Sequence, residues 1–304
     1  MSDSFDPDAV YDLMISRTHQ GISLNDIVGG GDPRREGASA VSVLSAQQLL
    51  TPSSRVLEIG AGCGRAAVAL ADVVTEGSYI GVDILPVLTD FCAEQITPHR
   101  PRFTFKTMLE GNPQYDHHVT GPGRVENIRR LDELGCDFDL VFAFSVFTHL
   151  QPAETLRMLQ QARAVLRPGG RILLTTFLLD PFSRVAIQEG RAAYFTGVQG
   201  VADSASITDE FHGPNSAVAY ELNYIGRLLT EAGFDALLGL RTGSWRAVDS
   251  PHFQDVIFAG SAPRLPAGFN GEEYLRRHVD VAQARVNAAH HYLTFGHREG
   301  RPLR

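Results

Sequence analysis

The chain has 304 residues, 43% of them hydrophobic, enough for one large domain or two small ones with a substantial core. Its 27 basic and 35 acidic residues give a formal net charge of −8, and no run of Lys or Arg stands out, which argues against a nucleic-acid partner. The three cysteines lack C-x-x-C spacing and predict neither a disulfide framework nor a zinc site. No secretory signal is visible, and no apolar run approaches the ~20 residues of a membrane span. We therefore expect a cytoplasmic protein without membrane contact.

Residues 1–45 precede the first predicted strand. Helical patterns at 8–18 and 38–50 flank a flexible glycine-rich loop at 29–33. We interpret this segment as a helical cap. The sequence is equally consistent with a cap that folds over a ligand site and with one that only adds a packing layer.

The most informative stretch spans residues 55–83, predicted to form a strand, a glycine-rich turn, a helix at 66–74 and a second strand. The turn has glycine at three alternate positions, 60, 62 and 64. Glycine is costly in chain entropy, so this pattern indicates a sharp turn or a ligand that approaches the backbone closely. The helix that follows presents free N–H groups at its first turn.

Two acidic residues accompany the turn. Glu58 lies in the strand before it, and Asp83 closes the second strand 19 residues after Gly64. A carboxylate in that position can accept hydrogen bonds from ribose hydroxyls. Residue 65 is Arg, whereas a dinucleotide fingerprint requires a small residue there, so the spacing disfavours a nicotinamide-dependent oxidoreductase.

An acid followed by G-x-G-x-G resembles the first motif of the class I S-adenosylmethionine-dependent methyltransferases. The resemblance extends over residues 50–260 and implies S-adenosylmethionine as cofactor. The cofactor-binding residues that it implies are Glu58, Gly60, Ala61, Gly62, Gly64, Asp83, Ile84, Phe144 and Ser145.

The apolar runs downstream predict the remainder of an α/β domain. Further strands are predicted at 102–106, 138–143, 171–176, 234–241 and 253–260, and helices at 86–96, 152–166 and 220–232. A turn at 167–170 is predicted to separate a helix from the next strand. With the resemblance, this pattern predicts a Rossmann-like seven-stranded methyltransferase sheet with helices on both faces, at 46–262. Residues 177–218 are predicted to form a lid or substrate insertion.

Two features near the third strand leave contacts unassigned. The resemblance implies an adenine-facing acid just beyond this strand, and here that acid is missing or displaced to Glu110. The adjacent His117 and His118 lie in a polar loop, but adjacent residues of an extended loop point in opposite directions. A metal site usually needs three or four convergent ligands, so we predict none.

His149 is the candidate catalytic residue. It follows the fourth strand directly, at the sheet edge where open α/β sheets bind ligands. A base there would take the proton of an acceptor hydroxyl. The sequence is equally consistent with a structural histidine that orients the loop. Weaker candidates, placed only by their loops, are His117, His118, Tyr194 and His212.

The acceptor is suggested by two weaker resemblances. Residues 145–150, Gly243-Ser-Trp and Gln254-Asp-Val are similar to a bacterial methyltransferase subgroup linked to sugar and surface-glycan modification. Residues 263–304 resemble a short helical module of carbohydrate-associated bacterial proteins, and a module this small is expected to dock on the main domain or on a second subunit. The resemblances imply O-methylation of a sugar, glycan or glycosylated small molecule, and a homo-oligomer formed through the module. The alternatives are methylation of a non-sugar metabolite and a cofactor-binding module without catalysis.

Overall fold

The computed structural model describes residues 5–109, 123–195, 206–208, 216–260, 265, 268–296, 299 and 301–303. Glu110, His117, His118 and His212 lie outside these residues, as does much of the predicted lid. Within the described ranges, no helix is long and apolar enough to cross a membrane.

A mostly parallel sheet organises the protein. Its strands are β3 (Arg55–Ile59), β4 (Ser78–Asp83), β5 (Phe103–Met108), β6 (Asn127–Ile128), β7 (Phe138–Ala143), β8 (Leu166–Leu179), β9 (Ser206–Thr208), β10 (Val218–Glu221), β11 (Ala236–Arg241) and β12 (Asp255–Gly260); β1 (Thr18–His19) and β2 (Ile22–Ser23) form a separate hairpin. The order along the longest path is β11-β12-β8-β7-β3-β4-β5-β6. Strands β3 to β8 pair in parallel, and β12 pairs antiparallel with β8 and β11. The predicted Rossmann-like fold is confirmed, and the short strands β6, β9 and β10 add to the seven predicted strands.

Helices cover both faces because the central strands are apolar on both sides. The helices are α1 (Pro7–Ser16), α2 (Leu24–Ile27), α3 (Pro33–Ala46), α4 (Arg65–Leu70), α5 (Pro86–Gln95), α6 (Pro152–Val165), α7 (Pro181–Gln188) and α8 (Leu222–Glu231). Side chains of α1, α3, α4 and α5 share one buried core, and those of α6 and α8 belong to a second. Residues before β3 are therefore part of the domain core.

Several predicted boundaries were wrong. Helix α3 begins at Pro33, five residues earlier than predicted, because Asp32 caps its N-terminus and proline suits the first turn. Residues 167–170, predicted to be a turn, lie within β8, where Gly169 has a φ of 73° and the pairing register with β7 shifts. Strand β8 also continues to Leu179, and its last three residues pair with β10, so the helix predicted at 220–232 begins at Leu222.

The C-terminal residues form a small helical unit with its own core. Its helices are α9 (Gly271–Arg277), α10 (Val279–Gln283) and α11 (Ala288–His291). Tyr274, Val281, Ala288 and Tyr292 are buried together. The Tyr274 hydroxyl lies 3.0 Å from Nδ1 of His291, and Nε2 of His278 lies 3.0 Å from the carbonyl oxygen of Pro302. These histidines contribute packing and hydrogen bonds within the unit.

Candidate active site

A cavity of about 1060 Å³ opens at the carboxyl ends of β3, β4 and β7. It is lined by the glycine turn after β3, by residues 26–31 of the N-terminal segment, by the loop after β7 and by residues 250–254. This is the edge at which open α/β sheets bind ligands. The predicted site residues that line it are Glu58, Gly60, Ala61, Gly62, Asp83, Ile84, Phe144, Ser145 and His149.

The glycine turn has the conformation that its sequence requires. Gly60 and Gly62 have φ angles of 76° and 54°, a region that side chains disfavour. A Cβ atom at Gly60 would lie 2.3 Å from Cγ2 of Val146. Gly64 is not among the cavity-lining residues: it is the left-handed N-cap of α4, and a Cβ there would lie 2.9 Å from Cys92 Sγ. A Cβ at Gly62 would lie 3.1 Å from Cγ1 of Val28, so all three glycines allow neighbouring side chains to pack closely on the turn.

Asp83 links the ends of two strands. Its Oδ2 accepts a hydrogen bond of 2.8 Å from the backbone N–H of Gly62, and its Oδ1 accepts one of 2.9 Å from Leu85. Burial raises the pKa of Asp83, and these backbone N–H groups oppose that shift. A carboxylate has about four acceptor positions, so Asp83 can accept a further hydrogen bond from a ligand in the cavity.

Glu58 is buried at the floor of the cavity, with an exposed fraction of 3%. The hydroxyl of Tyr79 donates a short hydrogen bond to its Oε2. Burial raises the pKa of Glu58 to about 8, and the hydrogen bond from Tyr79 limits the rise. Glu58 therefore holds its proton at neutral pH in this structure.

Arg65 fastens the N-terminal segment to the glycine turn. Its guanidinium donates hydrogen bonds of 3.0 Å each to the carbonyl oxygens of Val28 and Gly30. The segment 26–31 lines the cavity and α1 packs into the core, so the cap both covers the site and adds a packing layer. From the sequence, Arg65 served only as an argument against a dinucleotide site. Its hydrogen bonds to the N-terminal segment were not predicted.

The loop after β7 brings His149 to the cavity. Ser145 adopts a φ of 58° and its backbone N–H donates to Thr175 Oγ1 at 2.8 Å, which turns the chain out of the strand. His149 ends a short 3-10 helix, Phe147–His149, is half-buried and lines the cavity. Tyr194 also lines the cavity.

Two further polar residues of the cavity were not predicted. Gln254 and His252 lie in the connection between β11 and β12 and line one wall of the cavity. Burial and the positive charge of Arg241 lower the pKa of His252, so its imidazole is neutral at pH 7. From the sequence, the motif Gln254-Asp-Val was singled out for its resemblance alone. Nothing in the sequence predicted that Gln254 would lie beside the loop after β7.

A buried ion-pair network holds that wall in place. Asp255 is fully buried and accepts hydrogen bonds of 2.7 Å from Trp245 Nε1 and from the Arg246 guanidinium. Arg246, also buried, pairs with Asp180 at the start of α7. Because the Arg246 guanidinium bridges two carboxylates, residues 244–246 are tied to the end of β8. Among the described residues, no group of three or more His, Cys, Asp or Glu side chains could hold a metal ion.

The comparisons with known proteins agree with this architecture. Residues 57–172 match the family described as "Methyltransferase domain". A candidate O-methyltransferase from Nostoc punctiforme is 18% identical with a TM-score of 0.51, over 84% of this chain and 66% of that one. An O-methyltransferase family protein from Burkholderia thailandensis is 15% identical with a TM-score of 0.50, over 79% and 58%. At these identities the structures show the fold.

A curated relative matches part of the chain. The hybrid PKS-NRPS synthetase lepA of Aspergillus flavus is 28% identical over 152 residues, which are 48% of this chain and 3% of that protein. The chain thus spans a small fraction of this relative and less than two thirds of both solved structures. The segment that matches a methyltransferase domain, residues 57–172, contains the glycine turn, Asp83 and His149.

Proposed function

We propose that this protein transfers a methyl group from S-adenosylmethionine to a hydroxyl oxygen of a small-molecule acceptor. The observation that carries the proposal is a single cavity lined both by the glycine turn with Asp83 and by His149. The glycine turn, which brings backbone without side chains to the cavity, and the carboxylate of Asp83 beside it suit a nucleoside. The bound cofactor supplies an electrophilic methyl group on a sulfonium.

His149 is the proposed base. The chain must hold an acceptor hydroxyl in line with the methyl group, and orientation of this kind contributes on the order of 7–11 kcal/mol. An imidazole within ~2.6–3.2 Å of that hydroxyl would take its proton as the new C–O bond forms. The half-buried position of His149 at the cavity supports this role over that of a remote structural histidine.

We further propose a sugar, a glycan or a glycosylated small molecule as acceptor. The support is the resemblance of residues 145–150, 243–245 and 254–256 to a sugar-modifying subgroup, together with the C-terminal unit, which we propose to mediate self-association. A non-sugar metabolite is the second candidate. It is favoured by the similarity to part of a hybrid PKS-NRPS synthetase.

The experiment is a label-transfer assay with methyl-labelled S-adenosylmethionine and separate panels of sugars, glycosides and phenols. We expect label in an acid- and base-stable methyl ether of a hydroxylated acceptor. Transfer confined to phenols would replace the sugar assignment with the second candidate. Cofactor binding without transfer to any member of the panels would favour a non-catalytic module.

A further inference from the structure

Three aromatic rings meet at one end of the cavity. The ring of Phe177 lies 5.5 Å from that of Tyr194 and 6.2 Å from that of Phe253, between ring centroids, and Tyr194 and Phe253 are 5.9 Å apart. All three residues line the cavity, and Tyr194 and Phe253 remain 36% and 46% exposed. Exposed rings in a cleft are a surface on which the flat face of another ring can pack.

None of the described cavity-lining side chains near these rings in the chain is an acid, a lysine or an arginine. The lining residues contributed by β8, Tyr194 and the connection between β11 and β12 are aromatic, aliphatic, hydroxyl or amide residues, together with His252, which is neutral at pH 7. The charged lining residues come from other elements, namely α2, α3, β3, α4, β4 and α6. These uncharged lining side chains offer an ionised ligand no direct ion-pair partner, so this wall favours a neutral ligand.

Gln254 presents a hydrogen-bond donor at the same wall. Thr175 Oγ1 accepts the backbone N–H of Ser145 and donates its own hydrogen to Gln254 Oε1, 2.6 Å away. The Ser145 hydroxyl lies 3.1 Å from the same oxygen. These contacts fix the orientation of the amide, with Oε1 as the acceptor. Gln254 Nε2 makes no hydrogen bond to any residue that the structure describes.

The backbone that carries Gln254 is rigid. Asp255, its neighbour, accepts hydrogen bonds from Gly243, Trp245, Arg246 and Leu178, and all of its oxygen positions face buried groups. A donor held on such a support is pre-organised, so little conformational entropy is lost when a ligand binds to it.

We propose that Gln254 Nε2 and the exposed rings of Tyr194 and Phe253 form the acceptor subsite, which binds a neutral, ring-bearing hydroxyl compound. The ring face packs on the aromatic side chains, and a hydroxyl or ether oxygen accepts from Gln254. The inference rests on the proposed methyl transfer and specifies its acceptor. A sugar and a phenol both offer this chemistry, through an apolar ring face and an oxygen acceptor.

The chain offers a reporter for this subsite. Trp245 is the only tryptophan of the sequence, is fully buried, and its ring centroid lies 5.2 Å from that of Phe177. Its emission should therefore respond to a ligand that packs on the aromatic rings. We would titrate the full-length protein with phenyl glucoside, methyl glucoside, phenol and benzoate, with and without S-adenosylhomocysteine, under selective tryptophan excitation.

We expect saturable changes with phenyl glucoside and with at least one of the two single-ring neutral probes, and none with benzoate. The ratio of methyl glucoside to phenol affinity then tells which ring the site prefers. Gln254→Glu keeps the acceptor oxygen and removes the donor. This variant should lower the affinity for phenyl glucoside about fivefold. The uncharged variant Gln254→Met should lower the affinity for phenyl glucoside as well. Comparing the two variants separates the loss of the donor from the gain of a charge.

Phe253→Leu should also weaken binding severalfold, whereas Phe182→Leu is the matched control. Phe182 is 78% exposed on α7 and does not line the cavity, so its replacement should leave every affinity unchanged. Benzoate binding as tightly as phenol, no response to any neutral probe, or unchanged affinities in the Gln254 and Phe253 variants would each overturn the subsite. Since the titration needs no methyl transfer, its failure is distinct from a failure of the label-transfer assay.

Discussion

Oδ2 of Asp83 accepts a hydrogen bond of 2.8 Å from the backbone N–H of Gly62. The carboxylate at the end of one strand thereby fixes the glycine turn at the end of the neighbouring strand. Asp83 consequently has two tasks: it shapes the turn, and we propose that its remaining acceptor positions bind the cofactor. A ribose contact and a stable turn then depend on the same side chain.

Asp83→Ala should lower the affinity for S-adenosylhomocysteine at least tenfold. It removes a charge-assisted hydrogen bond worth ~1.5–3 kcal/mol as well as the support of the turn. Calorimetric titration measures the affinity directly. Asp83→Asn is the matched variant: it retains one acceptor oxygen and should lose less. Unchanged affinity in Asp83→Ala would rule out the ribose contact.

Arg65→Ala should reduce cofactor affinity by releasing residues 28–30, whose carbonyl oxygens Arg65 binds. Loss of hydrogen bonds to a charged donor should also reduce the free energy of unfolding by about 1–3 kcal/mol. Arg163→Ala is the control, because Arg163 Nε donates to the carbonyl of Gly233 at 3.0 Å and does not line the cavity. That variant should alter stability alone. Equal effects of both variants on cofactor affinity would contradict the role of the loop.

Glu58→Gln should change how stability depends on pH. The folded protein holds the Glu58 proton up to about pH 8, whereas an unfolded chain releases it near the ordinary value of 4.5. A raised carboxyl pKa means that the folded state binds more protons, so wild-type stability from this group is present below pH 4.5 and is lost as pH rises towards 8.

Glutamine keeps an acceptor for Tyr79 and does not titrate. The free energy of unfolding of wild type minus that of the variant should therefore fall by about 2–4 kcal/mol between about pH 5 and about pH 8. Denaturant titration at several pH values measures this difference. A difference that stays constant or grows with pH would mean that Glu58 ionises normally in the fold.

His149→Ala should lower turnover by roughly 10²-fold or more and leave cofactor affinity nearly intact, because a base acts on the acceptor and not on the cofactor. His99→Ala, on the exposed surface away from the cavity, is the control and should match wild type. Near-normal turnover in His149→Ala, with a large loss in His252→Ala, would assign the proton transfer to His252.

Truncation after Ala262 should leave a folded domain that binds cofactor, because the sheet is complete at Gly260 and residues 269–303 bury their own core. Thermal unfolding and calorimetry of the truncated chain would be compared with those of the full chain. Light scattering of both tests the proposed self-association, which truncation should abolish. An insoluble truncated chain, or one without cofactor affinity, would show that the C-terminal unit belongs to the main domain.

The sequence predicted the features that depend on local periodicity and on glycine. Around Gly60, apolar runs predict the two strands, the alternate glycines predict the turn, and Asp83 marks the end of the second strand. All of these signals lie close together in the chain. The end of β8 could not be predicted this way, because residues 177–179 are held as a strand by pairing with β10, about 40 residues later.

The residues proposed to bind the acceptor were harder to predict from the sequence for the same reason. Gln254 contacts Thr175 of β8 and Ser145 of the loop after β7, and no local sequence pattern relates these three positions. Arg65 was noticed only as a residue that breaks a dinucleotide fingerprint, whereas its partners Val28 and Gly30 lie in a loop that the sequence left without a fixed place. The roles of Gln254 and Arg65 depend on side-chain contacts between residues far apart in the sequence, which only the structure shows.

The most direct test of the cofactor assignment is calorimetric titration of the wild-type chain with S-adenosylhomocysteine and, separately, with NAD⁺. The glycine turn, the carboxylate of Asp83 and Arg65 at the position after the turn predict saturable binding of S-adenosylhomocysteine at one site and no binding of NAD⁺. Binding of NAD⁺ without binding of S-adenosylhomocysteine would contradict the assignment of S-adenosylmethionine as cofactor.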